Sequence, residues 1–212
     1  MELYIHPKSP PCWAVLLLGR QLNLKINQKV LELRTKEHLR EDFIQINPEH
    51  TVPTLVDRDF ILSESRAILS YLMDAYAGNN HPLYPRAAKE RAVIQHRLNF
   101  DLGTLYTRFY ASCSPMWNRG ATSTEEQRDK LYEALGFLET YLGRSRYAAG
   151  DHLTIADVSL VSTVSAIELC RIKLERYPKL VAWYQRCKTE LIGYADIVAC
   201  QFEAVQSSLS AV

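Results

Sequence analysis

A surplus of charge of either sign is missing from this chain: 25 Lys and Arg stand against 24 Asp and Glu, a formal net charge of +1. A surface that tracks phosphates carries a basic excess, so nucleic acid is excluded as the main partner. Long hydrophobic runs are missing too. The apolar stretch through Ala14–Gly19 falls far short of the roughly 20 residues that span a bilayer, and no membrane partner is expected. The first residues, Met1-Glu2-Leu3-Tyr4-Ile5, have neither the basic flank nor the small-residue cleavage site of a secretory leader. Cysteine is sparse and unpatterned: Cys12, Cys113, Cys170, Cys187 and Cys200 are odd in number and scattered. That spacing suits neither a disulfide framework nor a metal site, so free thiols in a reducing cytoplasm, and no metal, are expected.

What the chain does have is core-forming material. Its 212 residues are 47% hydrophobic and 23% charged, an ordinary globular balance that rules out disorder as the main theme. That length holds one large domain or two modest ones. The first third alternates strand and helix signals. Leu3-Tyr4-Ile5 is β-prone and Cys12–Leu22 crowds apolar residues over about three helical turns. Ile26–Leu33 then alternates like a strand, and Glu37–Ile46 reads as an amphipathic helix with Leu39, Phe43 and Ile46 on one face. Thr51–Asp57 and Phe60–Leu62 form a hairpin about Arg58-Asp59, and Ser65–Tyr76 is helical. The order is β-α-β-α-β-β-α.

Gly78-Asn79-Asn80-His81-Pro82-Leu83-Tyr84-Pro85 is a strong linker signal. Beyond it, Arg86–Tyr110, Thr124–Leu142, Ile155–Glu168 and Pro178–Glu190 carry helical periodicity. Thr154 three residues before Asp157 is a variant of the capping box. The expected organisation is therefore a small α/β domain over 1–77, a linker over 78–85 and an all-α helical bundle over 86–212.

Three segments carry chemistry. Ser9-Pro10-Pro11-Cys12 follows the first strand. Ser is a strong N-cap and Pro suits the first turn, so a plain cap is one reading. In the other, the Ser9 hydroxyl and the free N–H groups of that turn face an anion. A thiolate is such an anion: lowering a thiol's pKa by about two units takes roughly 2.7 kcal/mol. A Cys-x-x-Cys exchange enzyme would place its attacking thiol where Ser9 stands, and a hydroxyl forms no mixed disulfide. In the second segment, Asn47-Pro48-Glu49-His50-Thr51-Val52-Pro53-Thr54-Leu55, a proline directly before a strand suggests a cis Val52–Pro53 bond. That arrangement leaves the Val52 backbone free for an extended peptide ligand. His50 reads either as a solvated surface residue or as a partner for a carboxylate. The third, Ser63-Glu64-Ser65-Arg66-Ala67-Ile68, opens a helix. It reads as an N-cap, or as a grip on a zwitterionic amino-acid end, Ser65 holding a carboxylate, Glu64 an ammonium and Arg66 in support.

These segments, with His38, Phe100-Asp101-Leu102-Gly103-Thr104-Leu105-Tyr106 and Ala149-Gly150-Asp151-His152-Leu153-Thr154-Ile155-Ala156-Asp157, resemble a cytosolic glutathione transferase. The likeness is greatest to the serine-type delta/epsilon group of insects, with a lean towards delta, and it runs the length of the chain. It implies a thioredoxin-like N-terminal domain, an all-helical C-terminal domain and a homodimer. Glutathione becomes the co-substrate, its thiolate hydrogen-bonded by Ser9. By the same resemblance His38 and His50 lie near the glycyl carboxylate and the Val52 backbone, before Pro53, pairs with the cysteinyl unit. Glu64, Ser65 and Arg66 hold the γ-glutamyl end, with Asp101 in support from the helical domain. Thr154 and Asp157 become a folding element. Trp13 departs from the pattern, which usually has Arg there.

The other substrate implied is a hydrophobic electrophile, with Pro11, Leu33, Tyr106, Phe109, Tyr110, Met116, Trp117 and Phe202 as candidate pocket residues. Tyr106, Phe109 and Tyr110 share a helical face, which suits either a core or a pocket wall. Conjugation is the expected reaction. Glutathione-dependent isomerisation or peroxide reduction, and ligand sequestration with little turnover, stay open beside it.

Overall fold

The computed structural model describes residues 1–117 and 122–201, apart from the side chains of residues 115–117. Two units make up the chain: Met1–Asn79 with the chain from Leu191 onward, and Asn80–Glu190. The first contains β1 (Glu2–Ile5), α1 (Pro10–Gln21), β2 (Asn27–Val30), α2 (Glu41–Ile46), β3 (Thr54–Asp57), β4 (Phe60–Leu62) and α3 (Ser65–Tyr76). Its four strands form one sheet in the order β2-β1-β3-β4. β1 runs parallel to β2, a pairing that needs a crossover, and α1 supplies it. β3 lies antiparallel to β1, with Leu3 opposite Leu55 and Tyr4 opposite Thr54, and β4 antiparallel to β3, with Leu55 opposite Leu62. This is the thioredoxin-like arrangement that the resemblance implied.

Alternation along β1 sends Leu3 and Ile5 into the core. α1 buries Cys12, Trp13, Ala14, Val15, Leu17 and Leu18 and packs on α3, which contributes Ile68, Leu69, Leu72 and Met73. Each such aliphatic side chain contributes about 1.5–3 kcal/mol on burial. Gly19 permits the close approach of Ile26, whose Cδ1 would stand 2.5 Å from an added Cβ. The unit closes with the chain after Leu191: Gln21 Nε2 donates to the Ile192 carbonyl at 3.1 Å, and a single helical turn of π type spans Ala195–Ala199.

The second unit holds α4 (Ala88–Phe100), α5 (Thr107–Trp117), α6 (Glu125–Leu142), α7 (Ile155–Leu169) and α8 (Pro178–Glu190). Every residue of α7 from Ile155 to Ile167 is buried, as expected of a helix enclosed on all sides. Its hydroxyls are satisfied locally: Ser162 donates to the Val158 carbonyl at 3.0 Å and Ser165 to that of Val161 at 2.7 Å. The Asp157 carboxylate collects four donors: the Ala148 and Thr154 amides, the Thr154 hydroxyl and the Trp183 indole. Among the described residues no helix is long and apolar enough to cross a membrane.

Several expectations are corrected. The helix expected over 37–46 is two pieces, a 3-10 turn at Glu37–Leu39 and then α2. Arg40, in an extended conformation between the two pieces, breaks it, and Leu39 is left exposed while Phe43 is buried. The strand expected over 26–33 covers only 27–30, and its residues are exposed on both faces, as an edge position allows. The long helix expected over 86–110 is interrupted by a π-helical segment, Asp101–Tyr106, which an apolar period of 3.6 does not signal. The unit boundary falls at Asn79–Asn80, because Leu83 and Tyr84 are buried and the Leu83 carbonyl accepts the Ile155 amide at 3.0 Å.

Candidate functional site

Sheet direction alone gathers the sequence-predicted segments. The loop carrying Ser9 leaves the C-terminal end of β1. Because β3 is antiparallel to β1, the end that Val52 and Pro53 feed lies beside it, at the Tyr4–Thr54 pair. β4 reverses again, so Ser63–Ser65 leave the same end, at the Leu55–Leu62 pair. β2 ends there as well, opposite Ile5, and leads to Leu33 and His38. Four separate stretches of sequence thus meet at one end of one sheet.

At Ser9 the plain-cap reading fails, since no side-chain capping bond is made. The reason is local: the first two helical residues are prolines without N–H groups. The next two amides, Cys12 and Trp13, already donate to the Ser9 carbonyl at 3.0 and 3.1 Å. The expected free amides at this turn are therefore absent, and only the hydroxyl of the half-buried Ser9 is left to meet a ligand. Burial pushes the Cys12 thiol up to about 12, against hydrogen bonds from the Ser9 side chain and the His6 backbone. Cys12 is thus a neutral core residue and no redox nucleophile.

The free amides are at the other helix. α3 begins at Ser65, and the N–H groups of Ser65 and Ala67 have no partner among the described residues. The positive end of the helix dipole adds to this anion-binding character. Glu64, not Ser65, is the N-cap, with φ 65° and ψ 103°. A non-glycine residue there stores on the order of 1–3 kcal/mol of strain, a feature that clusters at binding sites. The Glu64 carboxylate is exposed. Ser65 and Arg66 are buried, and Arg66 Nη1 donates to the Ser65 hydroxyl at 3.0 Å.

Between these two helix starts, the Val52–Pro53 bond is cis, as expected. The Val52 amide and carbonyl make no hydrogen bond to the protein among the described residues. His50 lies next to His38, their ring centroids 6.2 Å apart, and the His38 Nδ1 atom is buried without a partner. Asn47 organises the loop and was assigned no role from sequence. Buried, its Nδ2 donates to the Thr51 carbonyl at 3.2 Å and to the Thr54 hydroxyl at 2.9 Å, while its Oδ1 accepts the Glu49 amide at 3.0 Å. A short amide ahead of Pro48, where the chain must turn, was the available signal. Ser63 donates to the Glu49 carboxylate at 2.7 Å and so ties this loop to the start of α3.

The comparisons with known proteins agree with this geometry. Residues 1–74 match the glutathione S-transferase N-terminal domain and residues 121–186 the C-terminal domain. The chain is 44% identical over 192 residues to glutathione S-transferase D7 of Anopheles gambiae, covering 91% of this chain and 88% of that one. The chain belongs to the glutathione S-transferase family. A delta-class glutathione transferase of Nilaparvata lugens superposes with a TM-score of 0.93 at 38% identity, covering 99% and 98% of the two chains. An epsilon-class glutathione S-transferase of Musca domestica gives 0.90 at 35% identity, covering 99% and 97%. Glutathione is the co-substrate that defines the family.

The other residues assigned through the resemblance to glutathione transferases are less uniform. In the first unit Pro11 and Leu33 are half-buried. In the second, Tyr106 is half-buried, Tyr110 is 50% exposed, and the two rings stack at 6.4 Å. Phe109 is corrected: with no exposed surface it belongs to the core of its unit, not to a pocket wall. Asp101 is fully buried and accepts the Ser159 hydroxyl. Phe202 and the side chains of Met116 and Trp117 lie outside the described residues.

Proposed function

We propose that this glutathione transferase joins the glutathione thiolate to hydrophobic electrophiles, with the Ser9 hydroxyl stabilising the thiolate. The observation that carries this is the proline-led start of α1, which leaves the Ser9 hydroxyl without a capping bond to the helix amides. The hydroxyl donates to thiolate sulfur, favouring the ionised co-substrate, which is itself the nucleophile. The peptide lies along the sheet end. Its γ-glutamyl carboxylate meets the free amides and hydroxyl at the start of α3, its ammonium meets Glu64, and Arg66 supports Ser65. Its cysteinyl unit pairs with the unbonded Val52 backbone beside Pro53, and its glycyl carboxylate meets His38 and His50.

Electrophiles contact the Tyr106–Tyr110 pair, whose stacked and partly exposed rings suit planar apolar molecules. Two copies associate, a reading supported by the exposed Phe60 and Ile61 on the edge strand β4. The site of action is the cytoplasm. Isomerase, peroxidase and sequestering roles gain no separate support from the described residues.

The test is conjugation of glutathione to an aromatic halide across pH 5–9 by wild type and Ser9→Ala. Ser9→Ala is expected to fold normally, to lose roughly a hundredfold in kcat and to need a higher pH to reach half its maximal rate. An unchanged pH–rate profile would remove Ser9 from the mechanism.

A further inference from the structure

Trp13 holds the loop on which Ser9 stands. The indole is 2% exposed, and its Nε1 donates to the Pro7 carbonyl at 2.5 Å. Residues 6–9 form a tight turn closed by the Ser9 amide on the His6 carbonyl at 3.0 Å, with Pro7 at the position where its fixed φ suits such a turn. Inside the turn the Lys8 amide reaches His6 Nδ1 at 3.3 Å. These bonds fix the turn's shape but do not join its outer peptide to the body of the unit. The prolines at 10 and 11 cannot help, having no N–H to give. Among the described residues the Pro7 carbonyl has one partner, the indole of Trp13.

Trp13 is the fourth residue of α1, the position from which a helix can brace the chain that enters it. Here the brace is a hydrogen bond from a buried ring rather than an apolar contact. We infer that Trp13 is a positioning residue: by holding the Pro7 peptide it sets where the Ser9 hydroxyl points, and hence how well the thiolate is stabilised. This rests on the Ser9 reading above. The indole touches no substrate. It acts through the loop, and an error of about 1 Å in a catalytic group's placement is enough to cost rate on the order of a hundredfold.

The experiment compares wild type, Trp13→Phe, Ser9→Ala and the double variant as full chains, in glutathione conjugation to an aromatic halide from pH 5 to 9. Phe keeps a buried ring and removes only the N–H and part of the volume. If Trp13→Phe melts below the assay temperature, 3-benzothienylalanine at position 13 keeps the shape without the donor. The expected result is a fall in kcat of about tenfold with KM for glutathione within about twofold. The acidic limb should move towards higher pH, as in Ser9→Ala, and the Trp13 change should add no shift on the Ser9→Ala background. A wild-type profile in Trp13→Phe beside a shifted one in Ser9→Ala overturns the positioning role and leaves Ser9 intact. An equal shift with and without the Ser9 hydroxyl also overturns it. An unshifted Ser9→Ala overturns the Ser9 reading itself, and the inference with it.

Discussion

Cysteine shows how a residue's surroundings decide its chemistry. All five cysteines are free, and four of them, Cys12, Cys113, Cys170 and Cys187, are buried while Cys200 is exposed. Burial raises the Cys12 thiol to about 12 and pushes Cys187 well above its ordinary value; the neighbouring Cys113 thiol, with burial, raises Cys170 too. Attack on a disulfide or an alkylating agent needs the thiolate, so Cys12, Cys170 and Cys187 are protected twice, by access and by ionisation, and Cys113 by access. A chromogenic disulfide reagent at pH 8 should therefore titrate about one thiol per chain within minutes in the native protein and all five in urea. Cys200→Ser should abolish the fast phase. Two or more fast thiols in the native wild type would show that burial is not what silences Cys12. The contrast with Ser9, three residues earlier and committed to no cap, is one of solvent and ligand access.

Elements were legible where one local signal was strong and no tertiary contact opposed it. α3 over Ser65–Tyr76 and α8 over Pro178–Glu190 match their expected spans, because each has helical apolar spacing and a clear start. The Phe60–Leu62 strand and its Arg58-Asp59 turn were equally readable, with Arg58 at φ 61°. Over 37–46 the apolar spacing was real but a backbone break at Arg40 outweighed it. The site was legible as three motifs and their order. Which helix offers free amides was not, since it depends on whether the N-terminal carbonyl is already engaged by the next two residues. Asn47 was equally invisible, because its three partners become neighbours only once the loop has closed. Removing it tests that loop as a unit. Asn47→Ala should raise KM for glutathione about tenfold with a smaller change in kcat, by loosening Val52 without touching Ser9. It should also lower the melting temperature by several degrees, the effect of orphaning the Glu49 amide and of losing the buried donor to the Thr54 hydroxyl, which keeps its bond to the Thr51 carbonyl. A lowered melting temperature with wild-type KM would mean that the loop does not hold the peptide.

For the whole molecule, stability should depend on pH through a carboxylate outside the site. Asp57, at the end of β3, accepts hydrogen bonds from the Tyr76 hydroxyl and, at 2.8 Å, from that of Tyr71, both on α3. These bonds clamp the helix to the hairpin. The Tyr76 bond is the chief reason the Asp57 carboxyl titrates below its ordinary value; Tyr71 adds to it, and burial opposes both. The Tyr71 phenol's own bond to Asp57, with burial, raises it to about 12. A carboxyl whose folded pKa is depressed binds its proton more readily in the unfolded chain. The stability it contributes is complete above the unfolded value of about 4 and is lost as pH falls through the lower folded value. In urea unfolding, Tyr76→Phe should be less stable than wild type by about 1 kcal/mol at pH 7. That gap should narrow steadily below about pH 4, since wild type then loses the same contribution. Asp57→Asn should show the same convergence. A gap that stays constant from pH 7 to pH 3 would mean that Tyr76 stabilises the unit through its ring alone, because packing is indifferent to the charge on Asp57.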